Sequence, residues 1–332
     1  MTTKLTFLET NDIHWRVANP RARLDDYNTA LKNKLTELFA LAKEVNAAGI
    51  LIPGDITDTP GLGLAAIAEL AWLLSQSPCP ILTIAGQHDE WGHNPETLYR
   101  TPYGMLRRLG YIVDVAEAPQ WFMAGDKLIR ITGRHYDEAV DRTEDYYEMP
   151  ALDPDDKETV TIHLAHGLVV EQAPGFDLRC TSLSKLQTSA DMLCVGDYHP
   201  GIGIQKAGNT VVINPGALGR LAASASDMER QIQVAMIEID QDGNIDTSLI
   251  PLTSARPGHE VLSREHLEAE AEREERINNF LSLLSSNTNL KFLETREIIE
   301  QIAQSDQLPE IVVAEALKRL GRAREELGAV ER

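Results

Sequence analysis

Five times within its first two hundred residues this chain ends a short β-type run on a cluster rich in aspartate, histidine and glycine. The clusters are Asp12-Ile13-His14, Gly54-Asp55, Gly86-Gln87-His88-Asp89, His166-Gly167 and Gly196-Asp197-Tyr198-His199. A strand that stops on such residues presents them from a rigid base into a crevice, where ligands of α/β sheets collect. Carboxylate, imidazole and amide oxygen together suit hard to borderline divalent ions. Glycine next to the ligands lets the backbone turn sharply and approach a bound ion closely. The chain must therefore fold so that several strands end on one side.

The residues between the clusters supply such a fold. Residues 4–10 alternate and stop at Asn11-Asp12, as a strand running into a loop does. Residues 27–48 have helical spacing, with Leu31, Leu35, Leu38, Phe39 and Ala42 on one face. A buried strand at 50–52, a helix over about 64–76 and a strand at 80–85 follow. This alternation predicts a βαβαβ beginning with a parallel sheet. Further on, β-type runs prevail, at 111–115, 120–123, 127–132, 160–165, 192–195, 210–213 and 233–239. Residues 137–158, acidic and containing proline, read as a surface loop. Beyond 262 the chain reads as nearly pure helix, over 263–286, 290–304 and 308–327. The expected fold class is α/β (α+β). A β-sandwich-like domain flanked by helices occupies 1–262, with the ligands at one edge between its sheets, and a helical region occupies 263–332.

The formal charge of −20, from 31 Lys and Arg against 51 Asp and Glu, argues against broad adhesion to nucleic acid through a basic surface. It does not exclude a phosphate substrate, because divalent metals on clustered carboxylates reverse the local field. No run of 18 apolar residues marks a membrane span, and the N-terminus has no signal-peptide pattern. Cys79, Cys180 and Cys194 are odd in number and widely spaced, and read as reduced residues of a cytoplasmic protein.

Taken singly, each cluster has a blander reading. Asp-x-His after a strand is commonly a cap or turn, Gly-Asp is a common turn, and His166 can simply end a strand. The ordered series of five is harder to explain in that way. In kind, order and approximate spacing it resembles the motifs of the calcineurin-like metallophosphoesterases. Within that superfamily it is most similar to the SbcD-type DNA repair nucleases, which partner a coiled-coil ATPase. The likeness spans roughly 4–262 and extends to Asn214-Pro215-Gly216-Ala217-Leu218-Gly219-Arg220, similar to the segment after that family's last ligand strand.

The resemblance implies a four-layer β-sandwich and two divalent ions, Mn²⁺ first, with Mg²⁺, Fe²⁺ or Zn²⁺ as alternatives. It implies that Asp12, His14 and His199 hold the first metal, that Asp55 bridges both, and that Gln87, His166 and Asp197 hold the second. His88 would stand beside the substrate phosphate, with Asp89 orienting its ring. Such a centre activates water for in-line attack on phosphorus. Two positions depart from the family: Gln87 stands where it usually has Asn, and Asp197 where it usually has His. Both fall on the second metal. The added oxygen character favours Mn²⁺ or Mg²⁺ over Zn²⁺, or else leaves that site weak or vacant.

Other residues near the clusters have mainly structural readings. His163 reads as a packed histidine, and Arg220 as part of a surface or structural ion pair. His93, His135 and Arg134 are candidates to line the crevice, and Trp15 and Trp91 are placed either to stack a base or to pack its wall. In SbcD-like proteins the region after the catalytic domain caps substrate and grips the ATPase. The 70-odd residues here look too few for both.

Three functions compete. The first is an SbcD-like DNA exo- or endonuclease with an SbcC-like ATPase on the C-terminal helices or a homodimeric arrangement. The second is a stand-alone phosphodiesterase or phosphatase for nucleotides or small esters. The third is a catalytically weak structural subunit of an ATPase–nuclease complex. None calls for a membrane.

Overall fold

The computed structural model describes residues 4–151, 159–173 and 175–265, together with 277, 299, 303, 308–309 and 311–319. The chain divides into two compact units, Met1–Arg264 and Glu265–Arg332.

In the first unit β1 (Lys4–Glu9), α1 (Tyr27–Glu44), β2 (Gly49–Pro53), α2 (Leu64–Leu74) and β3 (Ile81–Ile84) alternate. Asp26 caps α1 by accepting from the Thr29 amide. The helix buries Leu31, Leu35, Leu38, Phe39 and Ala42 against β1 and β2. α3 (Pro102–Arg108) starts with a Thr101 cap and proline in its first turn, and β4 (Val113–Asp114) follows. Next come β5 (Gln120–Ala124), β6 (Lys127–Gly133), β7 (Val160–Gly167), the short β8 (Val169–Val170) and β9 (Thr181–Ser182), then β10 (Met192–Asp197), β11 (Gly203–Ala207) and β12 (Thr210–Asn214). The unit ends with α4 (Ala225–Glu229), β13 (Gln233–Asp240), β14 (Ile245–Pro251) and α5 (Gly258–Val261).

These strands form two six-stranded sheets, ordered β14-β13-β1-β2-β3-β4 and β11-β12-β10-β7-β6-β5. β1 to β4 run parallel, as do β6, β7, β10 and β12, while β5, β11, β13 and β14 pair antiparallel at the edges or beside β1. Between the sheets lies an apolar layer that includes Phe7, Leu51, Ile84, Ile131, Leu164, Cys194 and Ile237. Strands buried on both faces explain why 50–52 and 81–84 read as continuous apolar runs.

Besides the two-residue β8 and β9, the strands β11 and β14 were not expected. Both are half-exposed edge strands whose residues carry little apolar signal. The segment read as a surface loop also departs from expectation. Val140, Tyr146, Tyr147 and Met149 are buried, and all but Met149 pack with Ala165, Leu193 and Val195 on the outer face of the second sheet. Residues 152–158 of that segment lie outside the described residues.

The second unit is described only in part. Residues 311–319 are helical, with Ile311 and Val312 exposed. Phe280, Leu281, Leu284 and Leu320, apolar positions of the expected helices, lie outside the described residues.

Glu9 is an anomaly in the core. It continues the Phe7 side of β1, is wholly buried, and neither carboxylate oxygen has a hydrogen-bond partner among the described residues. Burial pushes its pKa well above the usual carboxylate range, and the Cys194 thiol alongside only partly opposes this. A raised carboxylate pKa gives stability that is complete below the unfolded value and is lost as pH rises through the folded one. Glu9→Met should therefore stabilise the fold by about 1–3 kcal/mol at pH 8, the scale of an unmatched buried polar group. The gain should shrink at about pH 3, below the ordinary glutamate pKa, where the carboxyl is neutral in both states. Denaturant midpoints at the two pH values test this, and an equal gain at both would refute it.

Candidate metal centre

The five clusters converge at the C-terminal ends of parallel strands. Asp12 and His14 follow β1, Asp55 follows β2, and Gln87, His88 and Asp89 follow β3. His166 lies within β7 and Asp197 is the last residue of β10, with His199 two residues beyond. Asp12, His14, Asp55 and Asp197 all have left-handed backbones, at φ 47°, 47°, 50° and 85°. Such conformations cost about 1–3 kcal/mol each away from glycine and persist where the surroundings impose them. Two glycines make room for the ligands. A side chain on Gly86 would meet the Asp55 carboxylate at 2.3 Å, and one on Gly196 would meet the Pro53 carbonyl at 2.3 Å and His166 Nδ1 at 2.7 Å.

Within these clusters three groups of donors lie close enough to share an ion: Asp12 with His14 and His199, His14 with Asp55 and His88, and Asp12 with Asp55 and His166. His14 Nε2 and His199 Nε2 are 3.0 Å apart. Asp55 Oδ2 lies 3.5 Å from His14 Nε2 and 3.3 Å from His166 Nε2. Both Asp55 Oδ2 and His166 Nε2 are buried and have no hydrogen-bond partner among the described residues. Two imidazole nitrogens face to face, beside an unmatched carboxylate oxygen, form a place for a cation, so the residues fit a divalent metal. Gln87 and Asp197 come together as well: Gln87 Nε2 donates to Asp197 Oδ1 at 2.9 Å, and that oxygen is 3.9 Å from His166 Nε2.

The electrostatics agree. Burial pushes Asp12 up to about 6 against the opposing pull of His166. Burial disfavours charge on His166, yet Asp55, Asp12 and Asp197 outweigh it and hold its proton well above the ordinary imidazole range. His199 is pushed down to about 3 by burial and by His14. The acidic side of the cluster thus retains positive charge that a metal would replace.

The calcineurin-like phosphoesterase family profile matches residues 5–201, a stretch that contains every candidate from Asp12 to His199. The chain belongs to this family. It is accordingly a metal-dependent phosphoesterase, with residues suited to a dinuclear divalent site. Solved structures of similar shape include the calcineurin-like phosphoesterase YfkN from Bacillus subtilis, at 12% identity, covering 76% of this chain and 91% of that one with a TM-score of 0.46. A dimetal phosphatase from Danio rerio matches at 12% identity, covering 74% and 98% of the two chains with a TM-score of 0.44. Likeness at this level says nothing of substrate. No curated protein matches the sequence.

Several roles differ from the sequence reading. Asp89 does not touch the His88 ring. Its carboxylate accepts from the amides of Ile56, Thr57 and Gly86 and from the Thr57 hydroxyl, tying the β2 and β3 loops together. The ring is instead set by Asp58, whose backbone carbonyl lies 2.9 Å from His88 Nδ1. The Asp58 carboxylate also stands 3.6 Å from His14 Nδ1. Sequence reasoning missed Asp58. Asn11 was missed too: it reaches the Val195 carbonyl and the Asn214 side chain, coupling the Asn-Pro-Gly segment to the ligand loops.

The remaining neighbours are mostly structural. Trp15 is fully buried and donates to the Ala66 carbonyl, so it cannot stack a base. His135 does not line the crevice as a free group: Nδ1 accepts from the Ala85 amide and Nε2 faces Asp114. Arg134 pairs with Asp137 over the Tyr146 ring. His163 bonds Thr132. Trp91 is 46% exposed. His93 stacks near Tyr136, whose ring lies 6.1 Å from that of His166.

Proposed function

We propose that this phosphoesterase is a phosphodiesterase of the SbcD type that cleaves DNA at ends or in single strands. The dinuclear centre of this reading is supported by the position of Asp55, whose free oxygen lies between His14 and His166. In this reading Asp12, His14 and His199 hold one divalent ion, Gln87, His166 and Asp197 hold the other, and Asp55 bridges them. When bound, the ions supply Lewis-acid polarisation of phosphoryl oxygens and a water of lowered pKa. His88 does the remaining work from the chain itself. With its Nδ1 proton donated to the Asp58 carbonyl, it presents Nε2 toward the substrate, to steady charge on the phosphoryl group or to protonate the leaving oxygen. Half-exposed Trp91, three residues further on, offers a face for a base. An ATPase partner on the region beyond residue 262, self-association as a homodimer, and a cytoplasmic location belong to the same proposal. Among the described residues no helix is long and apolar enough to cross a membrane.

The −20 charge supports a second reading, a phosphodiesterase for nucleotides or other small esters. The test is hydrolysis with Mn²⁺. Cleavage of an oligonucleotide supports the nuclease, whereas hydrolysis of bis-p-nitrophenyl phosphate with DNA left intact supports the small-ester enzyme and ends the first reading.

The Gln87–Asp197 pair makes a prediction about metal choice. Asp197 brings a charge that imidazole lacks, so the site should prefer hard ions and leave them weaker Lewis acids. Gln87→Asn with Asp197→His should shift preference from Mn²⁺ or Mg²⁺ toward Zn²⁺ or Co²⁺ and move the pH optimum downward. The two changes should be non-additive, because the residues share one ion. Unchanged metal affinities in calorimetry and identical pH profiles for the wild type, each single variant and the double variant would remove both residues from the metal site.

A further inference from the structure

Behind the ligand loops, on the side of α1, lies a cavity of about 230 Å³ that shares no residue with the metal centre. Four cations line it, Arg23, Lys34, Arg220 and Arg256, against two carboxylates, Asp25 and Asp26. That is a surplus of positive charge on a chain whose formal charge is −20. Asp26 is engaged as the cap of α1. Arg256, at the rim, pairs with Glu260.

The inner cations are incompletely matched. Lys34 is 2% exposed, and its ammonium donates to the Leu218 carbonyl, with no carboxylate within ion-pair distance among the described residues. Arg220 is 3% exposed; two of its nitrogens donate to the carbonyls of Arg256 and Arg230, while Nε has no partner. Arg23 gives Nε and Nη2 to Asp25 and leaves a buried Nη1 unmatched. The hydroxyl of Ser254, another lining residue, is also buried without a partner. Burial of charge without a counter-charge is costly, and so is each unmatched donor. One small tetrahedral oxyanion in the cavity offsets both, since it brings charge and several acceptor oxygens to guanidinium, ammonium and hydroxyl donors.

We propose that this cavity is a binding site for a phosphate group, separate from the metal centre. It adjoins the centre through a short relay: Lys34 donates to the Leu218 carbonyl, and the Leu218 amide donates to the carbonyl of Asn11, the residue before Asp12. The inference stands on the cavity and its donors and is independent of the DNA reading. A second consequence concerns protons. Burial, then Arg23, Arg220 and Arg230, bring Lys34 down to about 7, with Asp25 opposing them. An anion beside it would raise that value, so binding at pH 8 should take up protons.

The test is calorimetric titration of inorganic phosphate into the full-length chain treated with chelator, so that the metal centre does not compete. Saturable binding is expected, with heats that depend on the ionisation enthalpy of the buffer at pH 8. Lys34→Met should weaken binding at least tenfold and remove the buffer dependence. Asn33→Asp changes an exposed lining residue to its charged isostere, and should weaken binding several-fold with the unfolding temperature unchanged. Competition with 5′-phosphorylated and 5′-hydroxyl oligonucleotides then identifies the source. Displacement by the phosphorylated strand alone assigns the site to a nucleic-acid end, and displacement by neither assigns it to the free ion; both support the site. No saturable binding in the wild type, or equal binding in wild type and Asn33→Asp, overturns it.

Discussion

Asp55→Asn should reduce hydrolysis by at least about 10²–10³-fold, the scale for losing one electrostatic contact to a transition state, and should weaken the binding of two ions together. Two carboxylates are placed to be the bridge, since Asp12 also groups with His14 and with His166. Their remaining contacts separate them. The Asp12 oxygens accept from the Asp197 amide at 3.1 and 3.3 Å. Asp55 Oδ1 accepts from the His88 amide at 2.8 Å, and its Oδ2 is left free between the two imidazoles. Asparagine is the informative replacement because it tolerates the left-handed backbone at φ 50° nearly as well as aspartate. The variant should therefore fold, so that loss of metal reports on the carboxylate alone. Calorimetry with Mn²⁺ and an unfolding curve decide the matter. Two ions bound with wild-type affinity would transfer the bridging role to Asp12.

How legible this site was depends on what kind of bond each residue makes. The ligand candidates could be read because they follow strands whose apolar runs are unmistakable, such as Ile50-Leu51-Ile52 before Asp55. The parallel order of β1 to β3 could be read for the same reason, as strands buried on both faces leave a continuous apolar signature. The edge strands β11 and β14 could not, since their residues face solvent and carry no such pattern. The supporting contacts were hidden more deeply. Asp89 reads as a partner for its neighbour His88, yet side chains adjacent in a turn diverge, and its carboxylate instead ties amides from two separate loops. Asp58 acts on His88 through its backbone carbonyl, which carries no side-chain signature at all. The buried tyrosines 146 and 147 were hidden by their acidic surroundings, because the average polarity of a segment says little about which of its side chains anchor it.

His88→Ala should cut turnover by roughly 10²–10⁴-fold, the range for a positioned acid–base group, while both ions stay bound. The argument begins with the tautomer. Only a protonated Nδ1 can donate to the Asp58 carbonyl at 2.9 Å, so the neutral ring has a bare Nε2 and the charged ring presents an N–H there. A ring so held is a proton donor in its charged form. The same ring lies 4.7 Å from that of His14 and groups with Asp55, which is where a metal ligand could also stand. Metal content therefore decides between the two roles. Wild-type stoichiometry with lost turnover, and partial rescue by imidazole added to solution, identify an acid–base group. Asp89→Asn is the companion experiment. It turns an acceptor of three backbone amides into a mixed donor and acceptor, so it should lower the unfolding temperature and leave turnover of the folded protein largely in place. If His88→Ala instead loses an ion, His88 is a ligand, and the proton must come from another group at the crevice rim, where exposed His93 stands near Tyr136.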